Sequence, residues 1–219
     1  MNGGSFPVDL VLFGMVAAFL VLRLRSILGR RTGFERPPQP YQPAGAAPPV
    51  IDAQAEPAPQ PTARDLPDPA GALGQTLARM QGVDRNFSPA GFLDGAEKAF
   101  SMIVAAFASG DRVALRGLLS DDTYRAFETA IAGREAASQT QVSDLKAIHA
   151  ATIETAELRN TVAQITVKFV SDQVSLLRGS DGKEVSGTDA VTELTDLWTF
   201  ERDLTAADPT WRLIAARSA

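Results

Sequence analysis

The sequence predicts an α+β domain of about 130 residues in which three helices precede a curved antiparallel sheet of four strands. Two observations support this. Apolar residues recur at three- and four-residue steps between residues 92 and 131, the spacing of one helical face. From residue 141 onward they alternate with polar residues, the period of a strand with one buried face. The compositions of residues 1–31 and 32–86 differ from that of the domain and from each other. They predict one membrane helix followed by a disordered linker.

The first segment, residues 1–31, is predicted to be a single membrane-spanning anchor. Its apolar run is unbroken from Leu10 to Leu22 and approaches the roughly 17 to 20 residues that cross a hydrocarbon core. The side chains expected inside the bilayer are Leu10, Val11, Leu12, Phe13, Val16, Phe19, Leu20, Val21 and Leu22. The arginines that follow are Arg23, Arg25, Arg30 and Arg31. By the positive-inside rule they place the C-terminal domain in the cytoplasm.

Three other interpretations of this segment compete with a spanning anchor. A cleaved secretory signal carries positive charge before its apolar core and small residues after it, whereas here the arginines follow the core. A helix lying on the membrane surface and a periplasmic domain stay open as alternatives. The order of charges favours an integral protein of the cytoplasmic membrane.

Residues 32–86 are predicted to form a disordered, proline- and alanine-rich linker. Eleven of the fourteen prolines lie between Pro37 and Pro69. A stretch with so few large apolar side chains cannot bury enough surface to offset the entropy of ordering it. We therefore expect a tether with a reach on the order of 40 Å.

The folded domain is predicted to span residues 87–219 and to begin with helices. Ser88 followed by Pro89 is an N-cap followed by the favoured first helical residue, and Gly110 ends this helix. Asp111 and Ser120 are predicted to cap a short second helix and a third. The apolar faces of the first and third helices hold Phe92, Ala96, Ala99, Phe100, Ile103, Phe107, Tyr124, Phe127 and Ile131.

Four strands are predicted after the helices. One covers residues 163–169, a second covers residues 191–203, and a last one follows the turn at Asp208 and Pro209. A less regular strand covers residues 145–158, and Asn160 and residues 179–187 supply turns. On the second strand Asp196 shares one face with Trp198 and Phe200, because side chains two residues apart point the same way.

Composition excludes several classes of function. The chain has no cysteine and one histidine, His149, which excludes disulfides and thiolate metal sites. Residues 87–219 hold 13 basic against 19 acidic side chains, and this balance argues against nucleic acid as a partner. No cofactor, metal site or catalytic residue is predicted.

Five blocks of the domain resemble a known family. They are Phe92–Phe100, Ala105–Asp111, Leu115–Ser120, Ala163–Ser171 and Asp196–Arg202. These blocks resemble the bacterial TimA-type proteins, relatives of the C-terminal domain of the mitochondrial inner-membrane translocase subunit Tim forty-four. The resemblance covers residues 87–219, and a short anchor followed by a proline-rich linker is also typical of the bacterial members.

The resemblance implies a cone-shaped fold similar to nuclear transport factor two, with a large apolar pocket. It also implies work at the inner face of an energy-transducing membrane, here the bacterial inner membrane. The mitochondrial relative docks an import motor through a charged N-terminal region, but here an anchor and a spacer hold that position. Relatives also receive ribosomes, but this domain is acidic. Neither chaperone nor ribosome docking is therefore expected.

The predicted function is that of a membrane-anchored, non-catalytic adaptor in protein translocation or membrane-protein biogenesis. Its apolar pocket is expected to dock a lipid or a segment of a protein, either an inner-membrane partner or a translocating peptide. The large side chains expected to line it are Phe107, Tyr124, Phe127, Phe169, Trp198 and Phe200.

The alternative is a small-molecule-binding protein or enzyme of the cone fold. Asp196 is the candidate general base, since a carboxylate in an apolar pocket has a raised pKa. The structural interpretation is that Asp196 pairs with Arg202, Arg212 or a backbone donor. Tyr124 is a possible hydrogen-bond donor in that pocket. His149 is expected to be solvated or hydrogen-bonded rather than a general base or metal ligand.

Overall fold

The computed structural model describes residues 66–219. The predicted anchor at residues 1–31, with its arginines, and the linker up to residue 65 lie outside the described residues. Between residues 66 and 219, no helix is both long enough and apolar enough to cross a membrane.

Within residues 66–219, four helices precede four strands, which confirms the α+β prediction. The elements are α1 (Ala72–Val83), α2 (Pro89–Ser109), α3 (Arg112–Leu118), α4 (Asp121–Ala136), β1 (Thr140–Arg159), β2 (Val162–Arg178), β3 (Glu184–Asp203) and β4 (Arg212–Ser218). The strands form one antiparallel sheet in the order β1-β2-β3-β4. Each strand therefore pairs with its neighbour in sequence, and the helices pack on one side of the sheet, called here the inner face.

Helix α1 lies in the segment that the sequence analysis assigned to the linker, so the structure has four helices rather than three. Proline enrichment ends at Pro69. Beyond it Leu73, Leu77 and Met80 stand four and three residues apart, which places them on one helical face. Leu77 and Met80 are buried in the core, and α1 contacts β1. The folded unit therefore begins before the predicted boundary at Phe87.

The three predicted N-caps are confirmed. The side chains of Ser88, Asp111 and Ser120 each accept a hydrogen bond from the backbone N–H three residues further on, at 3.1, 3.0 and 3.3 Å. Each bond satisfies one of the donors that a helix start leaves unpaired. Gly110 ends α2 with φ of 76°, a left-handed conformation that glycine adopts without steric cost.

The strands are longer than predicted. Strand β1 carries three register irregularities against β2, which break the alternation of apolar residues that its sequence would otherwise show. Strand β3 begins at Glu184 rather than near residue 191, and Gly187 lies inside the strand with φ of 89°. A Cβ atom there would lie 2.1 Å from the Ser175 carbonyl oxygen of β2. The glycine thus permits close pairing and does not mark a turn.

The core lies between α2 and the inner face of the sheet. Phe100 of α2 stacks on Phe169 with a centroid separation of 4.4 Å and lies 4.6 Å from the Trp198 ring. The start of α4 is tied to β4, since the Ser120 N–H donates to the Leu213 carbonyl and the Thr123 hydroxyl to the Ile214 carbonyl, both at 3.0 Å. The helical layer is therefore fixed to the central strands and to the last strand.

Candidate binding groove

A groove runs along the N-terminal half of α2, where this helix faces the loop between β3 and β4. Its volume is about 460 Å³, within the range of pockets that bind ligands. The loop between α1 and α2 closes one end, and Leu118 of α3 and the end of β3 complete the wall. We call it the aromatic groove after its floor.

Four aromatic rings form this floor. Phe92 packs edge-on against Trp211 at 4.7 Å and against Phe200 at 6.1 Å. Phe87 lies 6.4 Å from Phe92 and 5.9 Å from Trp211. Tilted and edge-on pairs at these distances are favourable beyond the area that they bury. Phe87, Phe92 and Phe200 are buried and Trp211 is half-buried, so the indole is the ring most available to a ligand.

Helix α2 leaves room above the floor at Gly95, one of two glycines in its wall. Gly91 and Gly95 stand one helical turn apart and both line the groove. A Cβ atom added at Gly95 would meet nothing within 4 Å. Met102, with 52% of its surface exposed, and the exposed Lys98 also line the groove. The arrangement is an apolar trough with a flexible thioether and one exposed cation beside it, which suits an amphipathic ligand.

A buried ion pair supports the groove from below. Arg202, which lines the groove, donates to Asp84 at 3.0 Å, and the two side chains are 13% and 9% exposed. This pair joins the end of α1 to β3. Within residues 66–219, Nε of Arg202 is buried without a hydrogen-bond partner. Removing either partner would leave a charge buried and unpaired, which is strongly destabilising.

The loop that forms the far wall is held by Asp208. Its carboxylate accepts from the Thr210 N–H at 3.0 Å and from the Arg212 guanidinium at 3.2 Å. Hydrogen bonds from the side chain and backbone of Thr210, aided by Arg212, hold the pKa of Asp208 below its ordinary value. The ionised carboxylate therefore fixes the loop that carries Thr210 and Trp211 into the groove.

The six predicted pocket residues fall in three places. Of the six, Phe200 alone lies on the floor of the aromatic groove. Phe169 and Trp198 are buried in the core, because Phe100 of α2 fills the space between helices and sheet that was expected to be open.

The other three lie near α4. Phe107 and Phe127 pack edge-on at 5.1 Å between α2 and α4, and the Arg134 guanidinium lies 4.9 Å above Phe107. Burial lowers the pKa of Arg134. Tyr124 lies under Arg116 at 4.5 Å, beside a second cavity of about 550 Å³ that is lined largely by arginines.

Phe87, Phe92 and Trp211 were not among the predicted pocket residues, although one signal was available. Phe87 precedes the N-cap Ser88 and Phe92 is the fourth residue of the helix, which is the spacing of a hydrophobic staple. Such a pair packs at the start of a helix and predicts an apolar surface there. Trp211 reaches this surface only through the pairing of β4 with β3, which no local pattern reveals.

Asp196 lies on the inner face with Trp198 and Phe200, as predicted, and is 5% exposed. Its carboxylate accepts from the Gln173 amide and the Ser218 hydroxyl, both at 3.3 Å. The two predicted arginine partners pair elsewhere, Arg202 with Asp84 and Arg212 with Asp208. Asp196 is therefore hydrogen-bonded to an amide and a hydroxyl rather than to either predicted guanidinium.

His149 lies on the outer face of the sheet, where its Nε2 is 2.9 Å from the Asp172 carboxylate. The ligand atoms of His149, Asp172 and Glu193 all lie within 4.8 Å of one another. His149 was predicted without these partners, because the two carboxylates approach it only when β1, β2 and β3 pair. The outer face therefore holds a cluster that the sequence analysis missed.

Comparison with known proteins gives one matching family and a number of structural likenesses, among them two distant ones. The model of the Tim44-like domain matches residues 73–218, and no curated protein sequence matches the chain. The intermembrane space region of the chloroplast protein ARC6 has a TM-score of 0.43 at 10% identity, covering 56% of this chain and 92% of that one. A conserved protein from Planctomyces limnophilus has a TM-score of 0.35 at 16% identity, covering 56% and 91%. At these TM-scores the likenesses do not bear on function.

Proposed function

The chain belongs to the Tim44-like domain family, and from this we propose that it is a non-catalytic adaptor whose aromatic groove docks an apolar segment of a partner protein. The family supports a role in translocation or as an adaptor in general terms. The observation that carries the proposal is the groove itself, an apolar trough beside α2 with room above Gly95.

The groove is adequate for weak, reversible binding. Removing apolar surface from water contributes roughly 25 cal/mol per Å², so covering about 300 Å² supplies about 7.5 kcal/mol before the costs of association. Those costs are at least about 4 kcal/mol, so the groove alone is expected to bind a short apolar segment with roughly millimolar affinity. Such affinity suits an adaptor that must release its partner, and the predicted anchor and tether would keep the domain near the inner face of the bacterial inner membrane.

Photocrosslinking from the groove tests the proposal. A benzophenone side chain is placed at Met102 in the full chain and, as a control, at Val185 on the β2–β3 hairpin. Both positions are 52% exposed, so general reactivity is matched. We expect a protease-sensitive protein adduct from Met102 that is absent from Val185. A lipid adduct from Met102 would show that the groove binds a lipid rather than a protein segment. Equal adducts from both positions would contradict docking in the groove.

A matched pair of glycine variants shows whether the groove is responsible. Gly95→Leu should fill the trough and abolish the Met102 adduct. Gly133→Leu is the control, because Gly133 lies on α4 outside the groove and a Cβ there also meets nothing within 4 Å. Retention of the adduct in Gly95→Leu would place the contact outside the groove.

A substitution at Asp196 distinguishes the proposed adaptor from the alternative, an enzyme of the cone fold. Because its carboxylate accepts from Gln173 and Ser218, we assign it a structural role on the inner face. Asp196→Asn should therefore leave the crosslink unchanged. Loss of a measurable turnover in this variant, with the fold intact, would favour the enzyme.

A further inference from the structure

Three adjacent strands bring possible metal ligands together on the outer face of the sheet. His149 comes from β1, Asp172 from β2 and Glu193 from β3. Asp172 and Glu193 are direct partners in the β2–β3 register. The imidazole nitrogen and the two carboxylate oxygens all lie within 4.8 Å of one another, so one ion could contact all three after small rotamer changes.

A break in the β1–β2 register positions the histidine. Ile148 pairs with Ser171 and Ala150 with Val170, which leaves His149 as the extra residue on β1. A bulge of this kind redirects the side chain of the extra residue. Here the imidazole reaches the Asp172 carboxylate, with 2.9 Å between Nε2 and Oδ2.

The charges in the cluster are unbalanced. Within residues 66–219, neither Asp172 nor Glu193 forms an ion pair with a lysine or an arginine. Elsewhere on the outer face Glu154 pairs with Lys168 at 2.6 Å, so ordinary pairing is available on this surface. Two carboxylates held together with one imidazole but no lysine or arginine beside them repel each other, and a divalent cation would relieve that repulsion.

From this geometry we infer that His149, Asp172 and Glu193 form a binding site for one divalent transition-metal ion of the zinc class. One imidazole nitrogen and two carboxylate oxygens are suitable zinc ligands, and bonds of roughly 2.0 to 2.2 Å bring neighbouring ligand atoms to about 3.4 Å from one another. The exposed position leaves the fourth ligand to water. The ion would fasten β1, β2 and β3 across the outer face, away from the aromatic groove.

Zinc titration of the full chain, purified without a histidine tag, tests this site. His149 is the only histidine in the chain, so its imidazole gives a single set of resonances in long-range ¹H–¹⁵N spectra. One equivalent of Zn²⁺ should shift the Nε2 resonance. Competition with a chelating dye should give one site, weakened at least tenfold by His149→Ala and by Glu193→Gln.

Glu154→Gln is the matched control, since it removes an outer-face carboxylate of β1 that lies outside the cluster. Its zinc affinity should equal that of the unmodified chain. Zn²⁺ should also raise the melting temperature of the unmodified chain and of Glu154→Gln, but not that of His149→Ala. An unmoved imidazole resonance, or equal affinity in all three variants, would overturn the assignment.

Discussion

The burial of Trp198 predicts a large loss of stability when its side chain is truncated. It contacts both Phe100 and Phe169, and 6% of its surface is exposed. Trp198→Ala should therefore cost about 3 to 5 kcal/mol of unfolding free energy. Urea unfolding measures this, with Val113→Ala as the control because Val113 is 86% exposed. A loss of unfolding free energy for Trp198→Ala as small as that of the control would show that Trp198 is not part of the core.

Asp208 gives a pH-dependent prediction. Its pKa in the folded state lies below the ordinary value of 3.8, so its ionised form stabilises the fold above the unfolded pKa and loses this effect as pH falls through the lowered pKa. The stability difference between the unmodified chain and Asp208→Asn should be constant between about pH 5 and 7 and should shrink in stronger acid. A difference that does not change with pH on urea unfolding would contradict this.

Individual residues were predictable where chemistry is local. The N-caps Ser88, Asp111 and Ser120 were identified because a capping side chain bonds three residues ahead. The facing of Asp196 followed from strand parity. The partners of Asp196 and His149 were not predictable, since they depend on pairing between strands far apart in sequence and on a bulge at Ile148 and Ala150.

Among the elements, α1 is the one most open to test. Met80 is fully buried in the core although it lies in the predicted linker. Met80→Ala should cost about 2 to 5 kcal/mol of unfolding free energy. Val83→Ala on the same helix is the control, because Val83 is 39% exposed and should change stability by only about 0.5 kcal/mol. Equal small losses in urea would mean that α1 does not belong to the folded unit.

The elements were predicted well where periodicity is regular. Helices α2, α3 and α4 and the middle of β2 have unbroken patterns, so their existence followed from the sequence. Helix α1 was missed because the prolines up to Pro69 dominate the composition of the segment that was assigned to the linker. The extended β2–β3 hairpin was missed because Gly187 resembles a turn signal, whereas in the structure it permits close approach to Ser175.

For the whole molecule, membrane anchoring stays a prediction from sequence. Each charge at the centre of a spanning helix costs about 2.5 to 3.5 kcal/mol on the insertion scale. Val16→Arg combined with Ala17→Asp should therefore release the chain from membranes on alkaline carbonate extraction, while the unmodified chain stays bound. Release of the unmodified chain would show that residues 1–31 do not span the bilayer. A reporter fused after Ala219 should be active only in its cytoplasmic form.

Of the helices and strands between residues 66 and 219, β4 is the last that a ribosome makes, and it has only seven residues. Before it emerges, the Ser120 N–H and the Thr123 hydroxyl lack the carbonyls that they bond in the finished domain, and the buried Leu213 is missing from the core. At about 5 to 20 residues per second, the seven residues of β4 take about a second to synthesise. A stop codon just before β4 would thus yield a chain that keeps the four helices and three strands before β4 within residues 66–219 but has an open apolar core, which proteases would cleave.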